Sequence, residues 1–343
     1  MASTIMREGA MPARGRTLIR VASLLAALRA ATCCDVAAAD ESGLSYWLQG
    51  QFGSFAAVPS EPGWSFDNIY YHATAATSGG RRIARGGRIH GGLTSPSDLF
   101  MFTPTYTFAT PVLGGQAAVA ITATYGRNTS SASETLPRLG EPPLLEGRSD
   151  SVVGFGDLDP YASLKWNLGV SNFMVYATAG VPVGAYDPNL LSSIGIGHWA
   201  ADAGAGYTYY DEQVGFEASA VLGFTYNFVN PYTQYQSGID AHLDWAVSPY
   251  ASEKMHVGAV GYVYRQVTGD SGPGTRLGEF KSRVLGIGPQ IGFFFPFADR
   301  QGYLNLKAYQ EYNAENRLEG WTAYITFSVE PPETKSAKSA GKQ

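Results

Sequence analysis

Three consecutive segments between Gly197 and Val247 switch polarity at nearly every residue. From Val214 to Val229 the positions Val214, Phe216, Ala218, Ala220, Leu222, Phe224, Tyr226 and Phe228 share one parity, and Gly215, Glu217, Ser219, Gly223, Thr225 and Asn227 share the other. Before it, Trp199, Ala201, Ala203, Ala205, Tyr207 and Tyr209 alternate with His198, Asp202, Gly204 and Thr208; after it, Ile239, Ala241, Leu243, Trp245 and Val247 oppose Asp240, His242 and Asp244. Successive side chains of a strand point to opposite faces, so each segment has one apolar and one polar face. At helical spacing the same residues would scatter around a cylinder, so helices are excluded here. The short turn at Asp211–Gln213 joins two of the segments as a hairpin.

Trp199, Tyr207, Tyr209, Phe216, Tyr226 and Phe228 sit on the apolar face, gathered toward segment ends. A transmembrane β-barrel has this pattern, with an apolar band toward lipid and aromatic girdles at both interfaces. A soluble β-sandwich or lipocalin-like barrel also alternates and is the competing reading. Charged residues make up only 15% of the chain and glycines number 41, a composition closer to an outer-membrane protein than to a cytosolic enzyme. The chain has no run of 18 apolar residues, which excludes a helical span. The expected fold is therefore all-β, a transmembrane antiparallel barrel.

The amino terminus supplies a route to that membrane. Arg14, Arg16 and Arg20 precede an apolar stretch, Val21 to Ala31, and Ala37, Ala38 and Ala39 offer a small-residue cleavage site before Asp40. This is the layout of a secretory signal over 1–39, interrupted by Arg29 and Asp35. Met11 is an alternative start to Met1. Both cysteines, Cys33 and Cys34, fall inside the signal, so the processed chain is expected to lack disulfides and thiolate metal ligands. Residues 1–39 hold five of the 24 basic and two of the 29 acidic side chains, and their removal moves the net charge from −5 to −8. That balance gives no support to a nucleic-acid partner.

Residues 40–64 mix apolar, small and turn-forming residues without steady alternation. They read as a segment folded inside the barrel or plugging its periplasmic mouth, with an extra edge strand as the competing view. Strands are expected near 65–77, 98–109, 115–125, 155–168, 171–183, 197–210, 214–229, 235–248, 254–267, 282–296, 301–312 and 319–329. That makes twelve, with fourteen as the alternative, in a barrel over 65–329. Their lengths suit tilted strands crossing hydrocarbon. Short connections at 110–114, 169–170, 211–213, 249–253 and 297–300 alternate with mostly longer ones, as periplasmic turns and extracellular loops do. The stretch 85–92 is assigned to the first outer loop on account of its glycines and arginines. The span 126–154, with Pro137, Pro142 and Pro143, reads as the largest and a mobile loop. Residues 330–343 read as a disordered periplasmic tail.

Parity nominates the lumen-facing side chains: Asp157, Tyr161, Lys165, His198, Asp202, Glu217, Asp240, His242, Asp244, Tyr262, Tyr264, Gln266, Lys307 and Glu311. Acids and bases sharing a narrow interior are expected to pair with one another, because an unpaired buried charge is costly. Such a network either fills the barrel or lines a solute path together with tyrosine faces. The i, i+2 and i+4 spacings among His198, Asp202, Asp240, His242 and Asp244 arise by default on an inward face and do not single out a metal or catalytic site. No serine stands in a nucleophile-elbow context, so neither an enzyme nor a cofactor is expected. Glycines at 204 and 206, and at 286, 288 and 292, mark bends or close approaches, or simply ease packing.

Several stretches together resemble a Gram-negative outer-membrane family named for its link to the meta-pathway of phenol degradation. The resemblance is carried by Gly154 to Pro160 leading into Trp166, and by Val181 to Pro188 followed by Leu191, Gly195 and Trp199. It continues in Gly261 to Gly272, then Gly278, Lys281, Arg283 and Gly286 to Pro289, and covers roughly 43–329. The resemblance implies an outer-membrane channel for passive uptake of small hydrophobic or aromatic compounds. It would be a monomer whose surroundings are outer-membrane lipid and lipopolysaccharide. The alternative is a structural or surface-interaction barrel with a closed lumen.

Overall fold

Twelve antiparallel strands close on themselves in the computed structural model of the chain, which describes residues 36–38, 45–76, 82–85, 88–91, 93–136, 144–275 and 278–332. They are β1 (Gly63–Ala76), β2 (Ser97–Thr107), β3 (Gln116–Leu136), β4 (Leu144–Leu168), β5 (Ser171–Gly180), β6 (Ala200–Asp211), β7 (Phe216–Asn227), β8 (Asp240–Ser252), β9 (Met255–Gln266), β10 (Arg283–Phe297), β11 (Arg300–Glu315) and β12 (Glu319–Glu330). Each strand pairs with its neighbours in sequence, and β12 pairs with β1 from Glu319 opposite Ala76 to Val329 opposite Phe66. Closure removes every sheet edge, so the backbone groups of the wall are satisfied within the wall, as a hydrocarbon environment demands. The expected signal lies outside the described residues except for 36–38, and the expected tail lies outside them beyond residue 332.

The two faces follow the parity of the sequence. On β7 the side chains of Glu217, Ser219, Val221, Thr225 and Asn227 are buried inside, whereas Ala220, Leu222, Phe224 and Tyr226 face out. Leu222 is 48% exposed and Trp199 52%, values for large apolar groups that lipid, not water, is suited to cover. Aromatic clusters form girdles at both ends of the wall. Trp64, Tyr106 and Phe108 lie at the short-turn end, with ring centroids 5.2 Å apart in successive pairs. Tyr226 with Phe228, and Tyr125 with Phe155, lie at the other end at 5.0 Å.

Glycines on the wall are matched to rings. Tyr262 pairs directly with Gly286, His256 with Gly292 and Tyr176 with Gly204. In each pair the inward ring lies where a Cβ on the glycine would stand. The inner sheet surface is thus tiled by rings lying flat across glycines, and close packing is the outcome for Gly204, Gly286 and Gly292.

Several stretches differ from expectation, among them the strand expected from 235, which begins only at Asp240. The span 126–154 is mostly wall: β3 and β4 continue as a paired ribbon from Gly126 opposite Gly154 to Leu136 opposite Leu144. Serine and threonine side chains hydrogen-bond across it, Thr129 to Ser151 at 3.0 Å and Ser131 to Ser149 at 2.8 Å. Beyond the lipid neither face of a ribbon is apolar, so the alternation that betrays a strand is missing there. The expected turn at 249–253 is shorter, since β8 runs to Ser252 and absorbs Pro249 just before a register shift between Tyr250 and Ser252. Within the first long connection, Arg82–Arg85 and Arg88–Gly91 pair as a hairpin outside the barrel sheet, with Val36–Ala38 alongside in parallel.

Candidate functional site: the barrel interior

Residues 45–62 run along the inside of the wall. Arg317, in the β11–β12 connection, donates to Ser45 Oγ and Gln49 Oε1, both at 3.0 Å, and Tyr46 OH meets Thr178 Oγ1 at 2.8 Å near the end of β5. These contacts lie at the long-loop end. At the short-turn end, Ala57 N donates to Thr208 Oγ1 at 3.0 Å and Lys165 Nζ to Val58 O at 3.2 Å, before Gly63 opens β1 beside Thr107. The segment therefore traverses the interior lengthwise.

Asp244 and Lys307 grip its middle. Asp244 accepts from Gly50 N and Phe52 N, both at 3.1 Å. Lys307 Nζ donates to the carbonyls of Gly50, Gln51 and Phe52 at 2.6, 2.9 and 3.2 Å. Tyr324 OH adds a bond to Gln49 O at 2.6 Å, and Trp47 stacks on His242 with centroids 3.8 Å apart. Lower down, Glu217 accepts from Phe55 N at 3.0 Å, and Gln290 reaches both Ser54 and Ser248. Phe55 holds φ at 64°, a left-handed conformation that costs a bulky residue about 1–3 kcal/mol.

The fourteen nominated side chains thus divide by what they hold. Lys165, Glu217, His242, Asp244 and Lys307 touch the segment 45–62. Three others tie connections to the wall. Asp157 accepts from Gly184 N and Ile196 N, both at 2.8 Å, so the connection 181–199 folds in with Leu191 to His198 buried. Gln266 donates to Asp270 and to Phe280 O, and Glu311 accepts from Tyr262 OH at 2.8 Å and Gly320 N at 2.9 Å. Asp202 accepts from Thr225 Oγ1 at 2.6 Å and faces His242 Nε2 at 2.8 Å, while Asp240 accepts from Asn227 at 2.8 Å. Tyr161 stacks on Tyr176, Tyr264 lies under the Arg317 guanidinium at 4.5 Å, and His198 is buried with Nδ1 at 2.9 Å from Trp199 O.

The expected pairing of acids with bases gives way to another arrangement. His242 facing Asp202 does join two of the fourteen. Asp157, Lys165, Asp244 and Lys307 are met largely by peptide groups instead, and Glu217 by the Phe55 N–H and the Ser219 hydroxyl, because folded-in chain occupies the space between them. Nor do His198, Asp202, Asp240, His242 and Asp244 converge as metal ligands: no metal-holding group of three appears among the described residues.

The profile of a family described by the MetA-pathway of phenol degradation matches residues 75–327. The chain belongs to this family. No curated protein matches the sequence. Among solved structures, an outer membrane channel from Pseudomonas putida F1 is 14% identical with a TM-score of 0.62, over 80% of this chain and 98% of that one. A FadL homologue from Pseudomonas aeruginosa is 9% identical with a TM-score of 0.39, over 78% and 89%. The first likeness is one of fold: this member of the phenol-degradation family is an outer-membrane β-barrel.

Tyr324, Thr208, Ser248 and Gln290 also face the segment, and sequence reasoning did not nominate them. Strand parity was available for Tyr324, since Thr322, Tyr324, Thr326 and Ser328 alternate with Trp321, Ala323, Ile325 and Phe327. Tyr210, Tyr250, His256, Phe294 and Tyr303, whose rings surround Phe55, had no such signal, as they come from five different strands and no periodicity links them.

Proposed function

We propose that this barrel is a channel for passive entry of small hydrophobic or aromatic compounds across the outer membrane, closed at rest by residues 45–62. The observation that carries this reading is the nature of the filling. A purely structural barrel can fill its interior with wall side chains, but here the filling is a separate stretch of chain, attached at one end to β1. It is held by hydrogen bonds to its backbone, so it can withdraw while the wall's own ladder stays intact. The wall behind it carries Tyr71, Tyr176, Tyr262, Tyr309 and Tyr324, faces that offer an aromatic solute weak, distributed contacts of the kind passage requires. The P. putida F1 relative is itself described as a channel, and family membership associates the chain with degradation of an aromatic compound. We read the protein as a monomer set in lipid and lipopolysaccharide, and not as an enzyme.

A second reading, a barrel with a permanently closed lumen, is favoured by the number of interior polar groups already satisfied by the segment. Liposomes carrying the refolded protein separate the two. Entry of toluene-sized aromatics faster than a sugar of similar size is expected. Equal entry of both would make the protein a general porin, and entry of neither through a folded barrel would establish the closed reading.

A further inference from the structure

At the short-turn end five rings from five strands surround the side chain of Phe55. Tyr210 closes β6, Tyr250 lies near the end of β8, His256 opens β9, Phe294 lies on β10 and Tyr303 on β11. Their centroids stand 5.3, 6.3, 5.3, 5.7 and 6.4 Å from that of Phe55, and the interplanar angles run from 65° to 87°. All five contacts are edge-to-face, the geometry that the quadrupole of an aromatic ring prefers and that a saturated ring of the same size does not reproduce. The hydroxyl edges are met by other members of the cage, His256 Nε2 meeting Tyr303 OH at 3.0 Å and Tyr250 OH donating to Tyr210 OH at 3.4 Å, and His256 Nδ1 is the ring nitrogen left without a partner among the described residues. What remains for an occupant is otherwise ring surface.

The occupant is placed there at a cost. Phe55 adopts φ 64° and its backbone N–H is anchored on Glu217, so the local chain is strained to present the ring to the cage. Phe55 is only partly buried, so the cage is not sealed around its ring. A bulky residue held in a left-handed conformation suggests a function for the strain, namely that the bound state is easily exchanged.

We propose that Tyr210, Tyr250, His256, Phe294 and Tyr303 form a binding site for a single uncharged aromatic ring, in which Phe55 stands as an internal competitor. This rests on the channel reading and deepens it: the cage is the last station before the periplasmic mouth. A ring that enters displaces Phe55 and loosens the end of the segment nearest β1. The reading accounts for why the segment carries a phenylalanine at a position whose backbone suits glycine.

The test uses the refolded full barrel in detergent, with toluene and methylcyclohexane as probes. Phe55→Gly removes the competitor and suits the backbone; Phe55→Leu keeps the cage filled. Toluene is expected to bind Phe55→Gly about tenfold more tightly than methylcyclohexane does, and to bind Phe55→Leu less tightly than Phe55→Gly but more tightly than the unsubstituted chain. In a chain that starts at Asp40, and so lacks Cys33 and Cys34, and carries only Ser54→Cys, toluene and not methylcyclohexane should speed maleimide labelling of the thiol, a measurement that stands even if Phe55→Gly fails to fold. No toluene binding by folded Phe55→Gly, equal binding of the two probes, or labelling unmoved by toluene would each overturn the site. Solute flux is not read in these measurements. Binding without liposome entry would remove the channel and leave the cage, and entry without binding would do the reverse.

Discussion

Lys307 shows how far a single inward position can be read from sequence. Its parity on β11 places it inside, and the pattern extends no further, because its partners are three consecutive carbonyl groups, Gly50, Gln51 and Phe52. Backbone acceptors leave no trace in residue identity. The same holds for Asp244, whose carboxylate is met by the N–H groups of Gly50 and Phe52. An acid and a base on inward-facing positions invite the expectation of a salt bridge, yet each is turned to peptide groups of the strap between them. Lys307→Met keeps the length of the side chain and removes the donor. Hydrogen bonds from a charged group contribute about 1.5–3 kcal/mol, so docking of the segment should weaken by that amount. The check is hydrogen exchange: the amides of Gly50 and Phe52 should exchange faster while those of the wall strands do not change. Unaltered exchange at both would mean that the clamp contributes nothing to holding the segment.

At the level of the element, the twelve strands were legible wherever lipid on one side and a packed interior on the other imposed a period of two. Legibility failed where that contrast ends. The ribbon made by the outer halves of β3 and β4 has no steadily apolar face, and its small hydroxyl side chains, Thr129, Ser131, Ser149 and Ser151, bond across the pair. Prolines beyond Leu136 then made the whole span resemble a loop. Glycine positions were visible but their meaning was not, since each depends on the residue across the sheet. Gly286 lies under the Tyr262 ring and Gly292 under the His256 ring. Gly286→Ala should force the tyrosine off its place and destabilise the barrel by about 1–3 kcal/mol, the usual range for overpacking. Gly147→Ala, on the outer ribbon where a Cβ would meet only the Ala132 carbonyl at 3.8 Å, should leave the guanidinium unfolding midpoint unchanged. A similar shift for both substitutions would refute the ring-on-glycine account.

For the whole molecule the decisive question is whether the segment 45–62 must move for anything to pass. Its path runs from the Arg317 contact at the long-loop end to Val58 at the short-turn end, along the length of the interior. The wall cannot widen without breaking a closed hydrogen-bonded ladder, so a solute that follows the same course has to take space from the segment. Ser54 Oγ and Ser248 Oγ stand 3.2 Å apart, one on the segment and one on β8, so cysteines at the two positions would bring their sulfurs close together. The native cysteines, Cys33 and Cys34, fall in the span read as the signal, so a Ser54→Cys, Ser248→Cys double variant would carry only the engineered pair after processing. Oxidation pins the segment to the wall below its middle, toward the short-turn end. If displacement is the gating step, aromatic entry into liposomes should fall toward the protein-free rate when the pair is oxidised and recover on reduction. Entry that ignores the disulfide would place the solute path elsewhere, between the segment and the opposite wall or through the wall into lipid, and would relieve residues 45–62 of any gating role.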